Sequence, residues 1–494
     1  MNYIGISAGF HDAAVSVVNQ AGDILFAAHS ERYSKKKHDR DLCKKLVSDA
    51  LYHTDSNQVR YHYYERPWVK ALRQLRSGEG FRWPTWDRLL GPAYTAMGRP
   101  AIHTHGHHLC HAAAGFQTSL FDHATVVIID AIGEFDTITI WDAAYDAETG
   151  RAEYKKLWSK QYPHSIGLFY SAMTQRVGLQ PMDEEYILMG MAAYGQPHYV
   201  TEIMNELVNS DDSIITFKQN LHTGVDKDFL KDADPMNIAS SSQVLLERMI
   251  SEVMGKARML GRSRNLVYGG GVALNCLANR LLGNFYENIW IMPNPGDAGN
   301  SLGAACLGHG KKINWTDCFL GYNMPGDYPV NAVLDVLLTD KIVGVANGRA
   351  EFGPRALGNR SLLADPRGHS IKSRVNEIKR RQKFRPFAPV ILEEYADQYF
   401  DMPKYWTNSR YMQAVANCKF PEKFPAIVHY DGTSRVQTVP ADGSGIRQLL
   451  EKWHVMTGCP MLLNTSLNIR GKPMVNDLGD AVQFQRLYGI KVCS

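Results

Sequence analysis

The apolar residues of the N-terminal part of the chain fall into short runs that predict two similar sets of β-strands. The first set lies at residues 3–6, 13–18 and 24–29, with a Gly/Asp loop at 9–12 and a turn at 19–23. The second set lies at 126–129, 137–141 and 153–157, with a Gly/Asp loop at 130–136. Each set therefore reads as a strand, a polar loop and a hairpin.

This weak internal repeat predicts a duplicated α/β domain. Two copies of strand, polar loop and hairpin are typical of the actin, Hsp70 and sugar-kinase group, whose nucleotide lies between the two halves. Two unrelated β-meanders are the alternative that the pattern leaves open. Farther along, residues 167–173 and 245–260 predict helices, and the mixed polar residues 196–240 are the least constrained part of this domain.

A change in composition near residue 328 predicts a second domain. Loop-forming residues cluster there, namely Gly321, Pro325, Gly326 and Pro329. The apolar run 342–346 predicts a strand that opens the new domain. We therefore expect domains at 1–328 and 329–494.

Composition narrows the function classes. The chain has 494 residues, of which 45% are hydrophobic and 21% charged, and its formal net charge is +4. These values are ordinary for a globular protein and give no basic face for nucleic acid. The eight cysteines form no CxxC pair, and no apolar run approaches the roughly 18 residues that a membrane span needs. We expect a cytoplasmic protein without membrane contact.

Two histidines and two aspartates form a candidate metal site. His107 and His111 are four residues apart and so share one face of a helix. A satisfied or exposed histidine pair is the alternative, but Asp130 and Asp297 each follow a predicted strand, where open α/β sheets place their ligands. This set of two nitrogen and two oxygen ligands suits zinc or manganese.

Several other segments carry residue types that suit anions. The strand at 265–268 runs into a triple glycine with Gly270 and Gly271 and then Asn275, a shape that admits phosphate. Arg355 lies in an arginine-rich loop at 348–361, and guanidinium groups suit phosphate or carboxylate. Lys383 and Arg385 alternate with Phe384, Pro386 and Phe387, apolar residues that would fix the backbone, although charge runs are usually solvated.

With these motifs in place, the chain resembles the NodU/CmcH-type O-carbamoyltransferases, a family that carbamoylates nodulation factors, cephalosporins and tobramycin. The motifs cover the chain almost from end to end. In order they are Gly5-Ile6-Ser7, His11-Asp12, Glu31-Arg32, Lys36-Lys37-His38-Asp39, His107-His108-Leu109-x-His111-Ala112, Met189-Gly190-x-Ala192-x-Tyr194-Gly195, Gly270-Gly271-Val272-Ala273-Leu274-Asn275, Gly296-Asp297, the run 351–361, the run 384–389, the run 431–438 and Leu463-Asn464-Thr465-Ser466-Leu467-Asn468.

The resemblance implies an actin-like N-terminal domain similar to tRNA threonylcarbamoyl transferase and a YrdC-like C-terminal domain. It also implies two reactions. Carbamoyl phosphate and ATP, with magnesium as a further ion allowed with ATP, would give a carbamoyl-adenylate in the C-terminal domain. The carbamoyl group would then pass in the N-terminal domain to a hydroxyl of a small acceptor such as a sugar, a metabolite or a modified nucleoside.

The resemblance also assigns roles to residues. It implies iron(II) at His107, His111, Asp130 and Asp297. Lys383, Arg385 and Arg435 would hold phosphates, and Ser466 and Asn468, with Thr465 and Arg355, would hold the carbamoyl substrate. His11, with Asp12, would act as general base for the acceptor hydroxyl or only orient it. Lys36 or Lys37 would meet phosphate, and the alternative for either is a solvated lysine.

Three features depart from the family pattern. Lys472 stands where relatives commonly carry an acidic residue, Ile187 stands where many have lysine, and the last element after Val492 looks abbreviated. A tRNA-modifying transferase and a non-catalytic nucleotide-binding regulator remain alternatives. A hydrogenase-maturation enzyme would add CxxC zinc sites, and a zinc protease would need the glutamate of HExxH. The acceptor and the oligomeric state are not readable from the sequence.

Overall fold

The computed structural model describes the whole chain except residues 210–212, 384, 386, 404 and 406–408. The chain has a mixed α/β fold and divides into two compact units. The first comprises Met1–Ser30 and His38–Thr316, and the second comprises Glu31–Lys37 and Asp317–Ser494. Among the described residues, no helix is both long enough and apolar enough to cross a bilayer.

The N-terminal unit contains two five-stranded sheets. The strands of the first are β1 (Asn2–Ser7), β2 (Ala14–Asn19), β3 (Ile24–His29), β4 (Val59–Tyr63) and β5 (Ile102–Thr104). The strands of the second are β6 (His123–Gly133), β7 (Asp136–Tyr145), β8 (Ala152–Gln161), β9 (Asn265–Gly269) and β10 (Asn288–Trp290). All strands predicted from the apolar runs of this unit are present.

Helices connect and cover these strands. In chain order they are α1 (Ser30–Ser34), α2 (Lys44–Tyr52), α3 (Pro67–Arg76), α4 (Trp86–Leu90), α5 (Pro92–Ala96), α6 (His107–Thr118), α7 (Ile166–Arg176), α8 (Glu185–Met191), α9 (Val200–Leu207), α10 (Pro235–Leu260), α11 (Cys276–Asn279) and α12 (Asn300–His309). The prediction for 245–260 was too short at its start. The helix begins at Pro235, where the Asp234 side chain accepts from the Met236 N–H.

The two sheets of this unit have the same topology, so the repeat read from the sequence is a structural duplication. The orders are β3-β2-β1-β4-β5 and β8-β7-β6-β9-β10. In each sheet the first three strands form an antiparallel meander, and the last two join in parallel. Two unrelated meanders would not share this order.

Two helices of small residues fill the space between the sheets. α12 packs on β1 and β2, α6 packs on β6 and β9, and the two helices pack on each other. A Cβ on Gly303 of α12 would lie 1.9 Å from the Cys110 carbonyl oxygen of α6, and one on Gly5 would lie 1.8 Å from the Ser301 carbonyl oxygen. The close approach of these backbones therefore requires glycine at both positions.

The C-terminal unit is built on a six-stranded sheet. Its strands and helices are β11 (Phe319–Met324), α13 (Val330–Asp340), β12 (Ile342–Ala346), β13 (Gly348–Glu351), β14 (Arg360–Ala364), α14 (His369–Ile378), β15 (Ala388–Leu392), α15 (Ala396–Tyr399), β16 (Phe400–Asp401), β17 (Ala416–Cys418), β18 (Thr433–Ser434), β19 (Gln437–Val439), α16 (Gly445–Thr457), β20 (Met461–Ser466), α17 (Leu478–Tyr488) and β21 (Val492–Cys493). The main sheet has the order β19-β15-β20-β14-β12-β21.

The division between the units differs from the predicted boundary at 328/329. The Gly/Pro-rich stretch taken as a linker includes β11, which pairs with β13 of the C-terminal unit. The boundary therefore lies between Thr316 and Asp317. β21, the segment that looked abbreviated, pairs in parallel with β12 at the edge of the main sheet.

A short piece from the beginning of the chain belongs to the C-terminal unit. The Arg32 side chain is buried and donates to the Gly353 carbonyl oxygen. The Lys35 ammonium forms an ion pair with Asp480. The segment Glu31–Lys37 thus contacts a loop residue and a helix of the C-terminal unit that lie more than 300 residues later in the chain.

The contact between α6 and α12 gives a stability prediction. We expect Gly303→Ala to lower the free energy of unfolding by about 1–3 kcal/mol, because the new methyl group meets a backbone carbonyl that cannot rotate away. Gly190 on α8 is a matched control, since a Cβ there would meet no atom within 4 Å. Gly190→Ala should leave stability unchanged or raise it slightly. Urea denaturation of both variants provides the measurement, and equal effects would contradict this account of the packing.

Candidate active site

The predicted metal ligands lie together in the N-terminal unit. His107 and His111 project from the first turns of α6, and their Nε2 atoms are 3.2 Å apart. Asp297 lies in the short turn that leads into α12. All four residues, His107, His111, Asp130 and Asp297, are buried, and one ligand atom from each lies within 4.8 Å of the others. The grouping predicted from the sequence is present in the structure.

Asp130 lies within β6 and not directly after it. The pairing of β6 with β7 is irregular between Ile129 and Gly133, so the strand continues beyond the predicted end. Such irregularities redirect a side chain out of the regular alternation. A Cβ on Gly133 would lie 2.5 Å from the His107 ring, so glycine is needed where this part of the strand passes the site.

The distances between ligand atoms fit a single ion. His107 Nε2 is 3.3 Å from both Asp130 Oδ2 and Asp297 Oδ1, and His111 Nε2 is 3.4 Å from Asp297 Oδ1. Two ligands bound at about 2.1 Å to a tetrahedral ion are about 3.4 Å apart. The imidazole nitrogens and carboxylate oxygens also match the donors that first-row divalent metals take. The residues present therefore fit a divalent metal.

The electrostatics of the cluster favour positive charge at its centre. Burial alone would lower the pKa of His107, but the carboxylates of Asp297 and Asp130 raise it well above its ordinary value. Burial alone would raise the pKa of Asp297, but His107 and His11 hold it well below its ordinary value. Two buried carboxylates thus require a cation, either imidazolium or a bound metal.

The triple glycine, which was predicted to admit phosphate, contacts the metal-ligand candidate Asp130. The Gly271 N–H donates to Asp130 Oδ1 at 3.0 Å. Gly270 has a φ of 90°, and a Cβ there would lie 2.2 Å from the Ile129 carbonyl oxygen. The Asn275 side chain caps α11 and exchanges hydrogen bonds with Gln243. Gly270, Gly271 and Asn275, three of the four residues predicted to bind nucleotide, thus make close contacts within the unit.

His11 is the end of a chain of hydrogen bonds beside the metal ligands. Its Nδ1 is 2.9 Å from Asp12 Oδ2, and its Nε2 is 3.7 Å from Asp297 Oδ2. The other oxygen of Asp12 lies 2.8 Å from His38 Nδ1, and His38 Nε2 lies 2.9 Å from Asp183. These contacts assign the Nδ1 proton of His11 to Asp12 and leave the Nε2 lone pair toward the cluster.

Asp12 is well suited to this orienting position. The backbone φ of Asp12 is 53°, which lies in the left-handed region. Burial alone would raise the pKa of its carboxyl group. The hydrogen bonds from His11 and His38 instead hold the pKa of Asp12 far below its ordinary value. The sequence predicted His11 and Asp12, but it gave no role to Asp183, which lies 145 residues from His38.

In the C-terminal unit, the lysine that meets the predicted polar pair is Lys379. Its Nζ donates to Asn468 Oδ1 at 2.9 Å and to Ser466 Oγ at 3.2 Å. Ser466 Oγ in turn donates to Asn468 Oδ1 at 2.6 Å. Burial, followed by the charges of Arg381 and Arg385, holds the pKa of Lys379 well below its ordinary value. From this charge run the sequence analysis selected Lys383 and Arg385 and gave Lys379 no role.

Lys383 is not brought to Ser466 and Asn468. Its side chain is 75% exposed and lies 3.6 Å from Glu377. Among the described residues, Lys383 and Arg385 belong to no strand, since β15 begins at Ala388. Phe384 and Pro386, which were expected to fix this backbone, lie outside the residues that the structure describes. Arg385 contributes to the charge around Lys379.

Two of the three loop arginines serve the fold. Arg360 is fully buried and donates to five backbone carbonyl groups of the C-terminal unit. Arg349 donates to the Leu320 and Gly321 carbonyl oxygens. Glu351 fixes the same loop by accepting three backbone N–H groups through one oxygen.

The surroundings of the Arg435 side chain fit an anion-binding site. Its Nε is buried and has no hydrogen-bond partner among the described residues. The pKa of the neighbouring His429 is lowered to about 4, mainly by burial. The Asp431 carboxylate raises this pKa, whereas the cations Arg435 and Lys372 lower it further. A buried guanidinium nitrogen without an acceptor is costly unless a ligand supplies one.

The remaining predicted positions have simpler surroundings. Thr465 lies on β20 opposite Leu362. The Lys472 carbonyl oxygen accepts from the Asn468 side chain, and Ile187 is buried in α8. Lys36 and Lys37 belong to the segment Glu31–Lys37 of the C-terminal unit. None of these observations assigns them a ligand.

Comparisons with known proteins decide the family. Residues 55–306 match the model of the carbamoyltransferase N-terminus, and residues 334–493 match that of the carbamoyltransferase C-terminus. The chain belongs to the carbamoyltransferase family. As a member of that family it is an enzyme, and the tRNA-modifying alternative is not favoured.

Relatives of this carbamoyltransferase match over most of its length. An uncharacterized protein of Synechocystis sp. is 32% identical and covers 97% of this chain and 93% of its own. Nodulation protein NolNO of Sinorhizobium fredii is 28% identical over 96% of this chain and 76% of its own. Nodulation protein NolO of Bradyrhizobium diazoefficiens is 31% identical over 76% of this chain and 75% of its own.

We expect this carbamoyltransferase to bind one divalent first-row metal per chain at the four-residue cluster. Asp297→Asn and His111→Ala should lose the metal, because each removes a ligand and leaves the others uncompensated. His123→Ala is the control, since His123 pairs with Asp142 outside the cluster at 2.7 Å. Metal content after dialysis, measured by plasma mass spectrometry, checks the prediction. Equal metal content in all three variants would show that the ion binds elsewhere.

Proposed function

We propose that this carbamoyltransferase makes a carbamoyl-adenylate in its C-terminal unit and transfers the carbamoyl group to an acceptor hydroxyl in its N-terminal unit. The family match supports carbamoyl transfer. The observation that carries the two-site form is the contrast between a buried His/Asp cluster in one unit and a buried cationic group around Lys379 in the other. ATP, carbamoyl phosphate and a small hydroxyl compound are the proposed substrates.

The first reaction needs positive charge around phosphates. Water would release phosphate from carbamoyl phosphate to leave carbamate, whose oxygen would attack the α-phosphorus of ATP and expel pyrophosphate. Lys379, Arg385 and Arg435 would neutralise the anionic groups. Ser466 and Asn468 offer hydrogen bonds of the right size for the carbamoyl end. We assign the lysine role to Lys379 and not to Lys383 because of its position.

The second reaction needs an activated hydroxyl. The Nε2 lone pair of His11 would accept the acceptor proton, while Asp12 holds the ring and stabilises its charged form. The acceptor oxygen would bond to the carbamoyl carbon, and AMP would leave with the original oxygen. A metal held by His107, His111, Asp130 and Asp297 would supply Lewis-acid polarisation of the carbonyl group.

The assignments of domain type, metal and location are supported by different observations. The duplicated strand order supports an actin-like N-terminal unit, whereas the YrdC-like label of the C-terminal unit rests on the sequence resemblance. The resemblance likewise favours iron(II), although the donor set also suits zinc or manganese. A cytoplasmic location is in keeping with the free cysteines, which form no disulfides among the described residues.

The proposed function is tested by pyrophosphate release. Protein incubated with magnesium and ATP should release pyrophosphate only when carbamoyl phosphate is present. When the carbamoyl group of carbamoyl phosphate carries an isotope label, the label should appear in the adenylate. Hydroxylamine should trap the labelled carbamoyl group from that adenylate. Release without carbamoyl phosphate, or no release from folded protein, would contradict the two-step proposal and favour a nucleotide-binding regulator.

A substitution at Lys379 tests which lysine serves this first reaction. We expect Lys379→Met to lower the rate of carbamoyl-phosphate-dependent pyrophosphate release about 100-fold, because a buried cation facing the polar pair is lost. Lys383→Met should cause a smaller fall. Lys452→Met is the control, since Lys452 is exposed and donates to Asn331 on α13. A larger loss in Lys383→Met than in Lys379→Met would overturn the assignment.

A further inference from the structure

An exposed aromatic cluster lies in the connection between β4 and β5, beside the proposed transfer site. The rings of Trp68, Phe81 and Trp83 contact one another, with centroids 5.3 to 6.4 Å apart. Trp68 is 51% exposed and Trp83 is 66% exposed. Large aromatic side chains that contact one another but remain open to solvent are typical of binding surfaces.

The apolar surface continues along one face of α3. Trp68, Leu72 and Leu75 are spaced by four and three residues, which places them on the same side of the helix. Leu72 and Leu75 are both more than half exposed. We call Trp68, Leu72, Phe81 and Trp83 the aromatic platform. It is larger than a single scattered hydrophobic residue and so needs an explanation.

The same connection is strongly basic. Residues 64–100 contain seven lysine and arginine residues but three acidic residues. The acidic residues Glu65, Glu79 and Asp87 pair with Lys70, Arg73 and Arg99. In the part of the chain that the structure describes, the exposed Arg82 and Arg88 have no ion-pair partner. Arg82 is next to Trp83, so positive charge borders the platform.

The helices that flank the platform also contact the loop that carries His11. The Lys70 Nζ of α3 lies 5.1 Å from the centre of the Phe10 ring, which is 4.7 Å from the His11 ring. On α4, Leu89 lies 3.4 Å from the position of a Cβ on Gly9. The segment that carries Phe81 and Trp83 therefore lies between two helices that each contact the loop of the proposed general base.

We propose that the aromatic platform binds the carbamoyl acceptor, and that this acceptor is an anionic compound with a flat aromatic ring system. The proposal rests on the proposed function, because it extends the transfer site. A flat ring would stack on Trp83, and Arg82 would attract the negative charge. Trp68 and Lys70 lie on opposite sides of α3, so a ring on the platform and a hydroxyl at His11 are separated by more than about 10 Å, the width of a helix. The acceptor is thus larger than one ring.

Calorimetric titration with three probes tests the ligand class. The probes are 3-hydroxy-2-naphthoate, which is aromatic and anionic, 2-naphthol, which is aromatic and neutral, and chitotetraose, a neutral oligosaccharide. We expect the naphthoate to bind most tightly and chitotetraose least tightly. Equal or tighter binding of chitotetraose would overturn the proposal in favour of a glycan site.

Substitutions in the aromatic platform test whether the probes bind there. Trp83→Ala should weaken both aromatic probes about tenfold through lost stacking, whereas Arg82→Glu should weaken only the naphthoate. The controls are Tyr52→Ala, an exposed aromatic on α2, and Arg262→Glu, an exposed arginine, and both should leave binding unchanged. Trp68→Ala is a second platform variant if Trp83→Ala fails to fold. Equal affinity in platform and control variants would overturn the proposal.

Two parallel measurements separate the possible failures. Sedimentation velocity that shows self-association abolished by Trp83→Ala would overturn the proposal, because the platform would then be an interface between copies of the chain. Carbamoyl-phosphate-dependent pyrophosphate release is measured on the wild-type protein. Pyrophosphate release without naphthoate binding would overturn the proposal for the platform but would agree with the proposed function. Naphthoate binding without pyrophosphate release would support the platform as a binding site but would contradict the proposed function.

Discussion

The N-terminal unit depends on the direct contact between α6 and α12. These helices meet at backbone distance because glycine faces a carbonyl group at their crossing, and each helix is held to its own sheet. His107 and His111 begin one helix, and Asp297 lies in the turn before the other. Spacing the helices farther apart would separate the histidines from this carboxylate. The small residues of the core thus set the distances between the ligands.

The two units have opposite electrostatic requirements. In the N-terminal unit, two buried carboxylates raise the pKa of a histidine and favour a cation. In the C-terminal unit, buried Lys379 lies near two arginines, and the buried Nε of Arg435 has no hydrogen-bond partner in the described part of the chain, so the surroundings favour an anion. Each unit therefore lacks a partner charge that a metal in one case and a phosphate in the other would provide. This difference is what makes a division of chemistry between the units physically reasonable.

Local patterns in the sequence were sufficient for much of this structure. Apolar runs separated by Gly/Asp loops predicted both sheets, and the spacing of His107 and His111 with the two aspartates predicted the ligand cluster. The misplaced residues depended on contacts between distant segments. Lys379 looks solvated in a charge run, and it is buried only because β20 brings Ser466 beside the end of α14. The local pattern around Gly271 predicted a phosphate contact but could not indicate that its N–H donates to Asp130, a residue 141 positions earlier.

The placement of Glu31–Lys37 has a consequence for how the chain can be divided. A fragment starting at Asp317 would contain every strand of the six-stranded sheet but would lack Arg32, which is buried against the Gly353 carbonyl group. The complementary fragment would carry that arginine without the backbone that receives it. During synthesis, this segment leaves the ribosome long before the strands that it contacts exist. The C-terminal unit therefore makes its full set of native contacts only with a segment from the beginning of the chain.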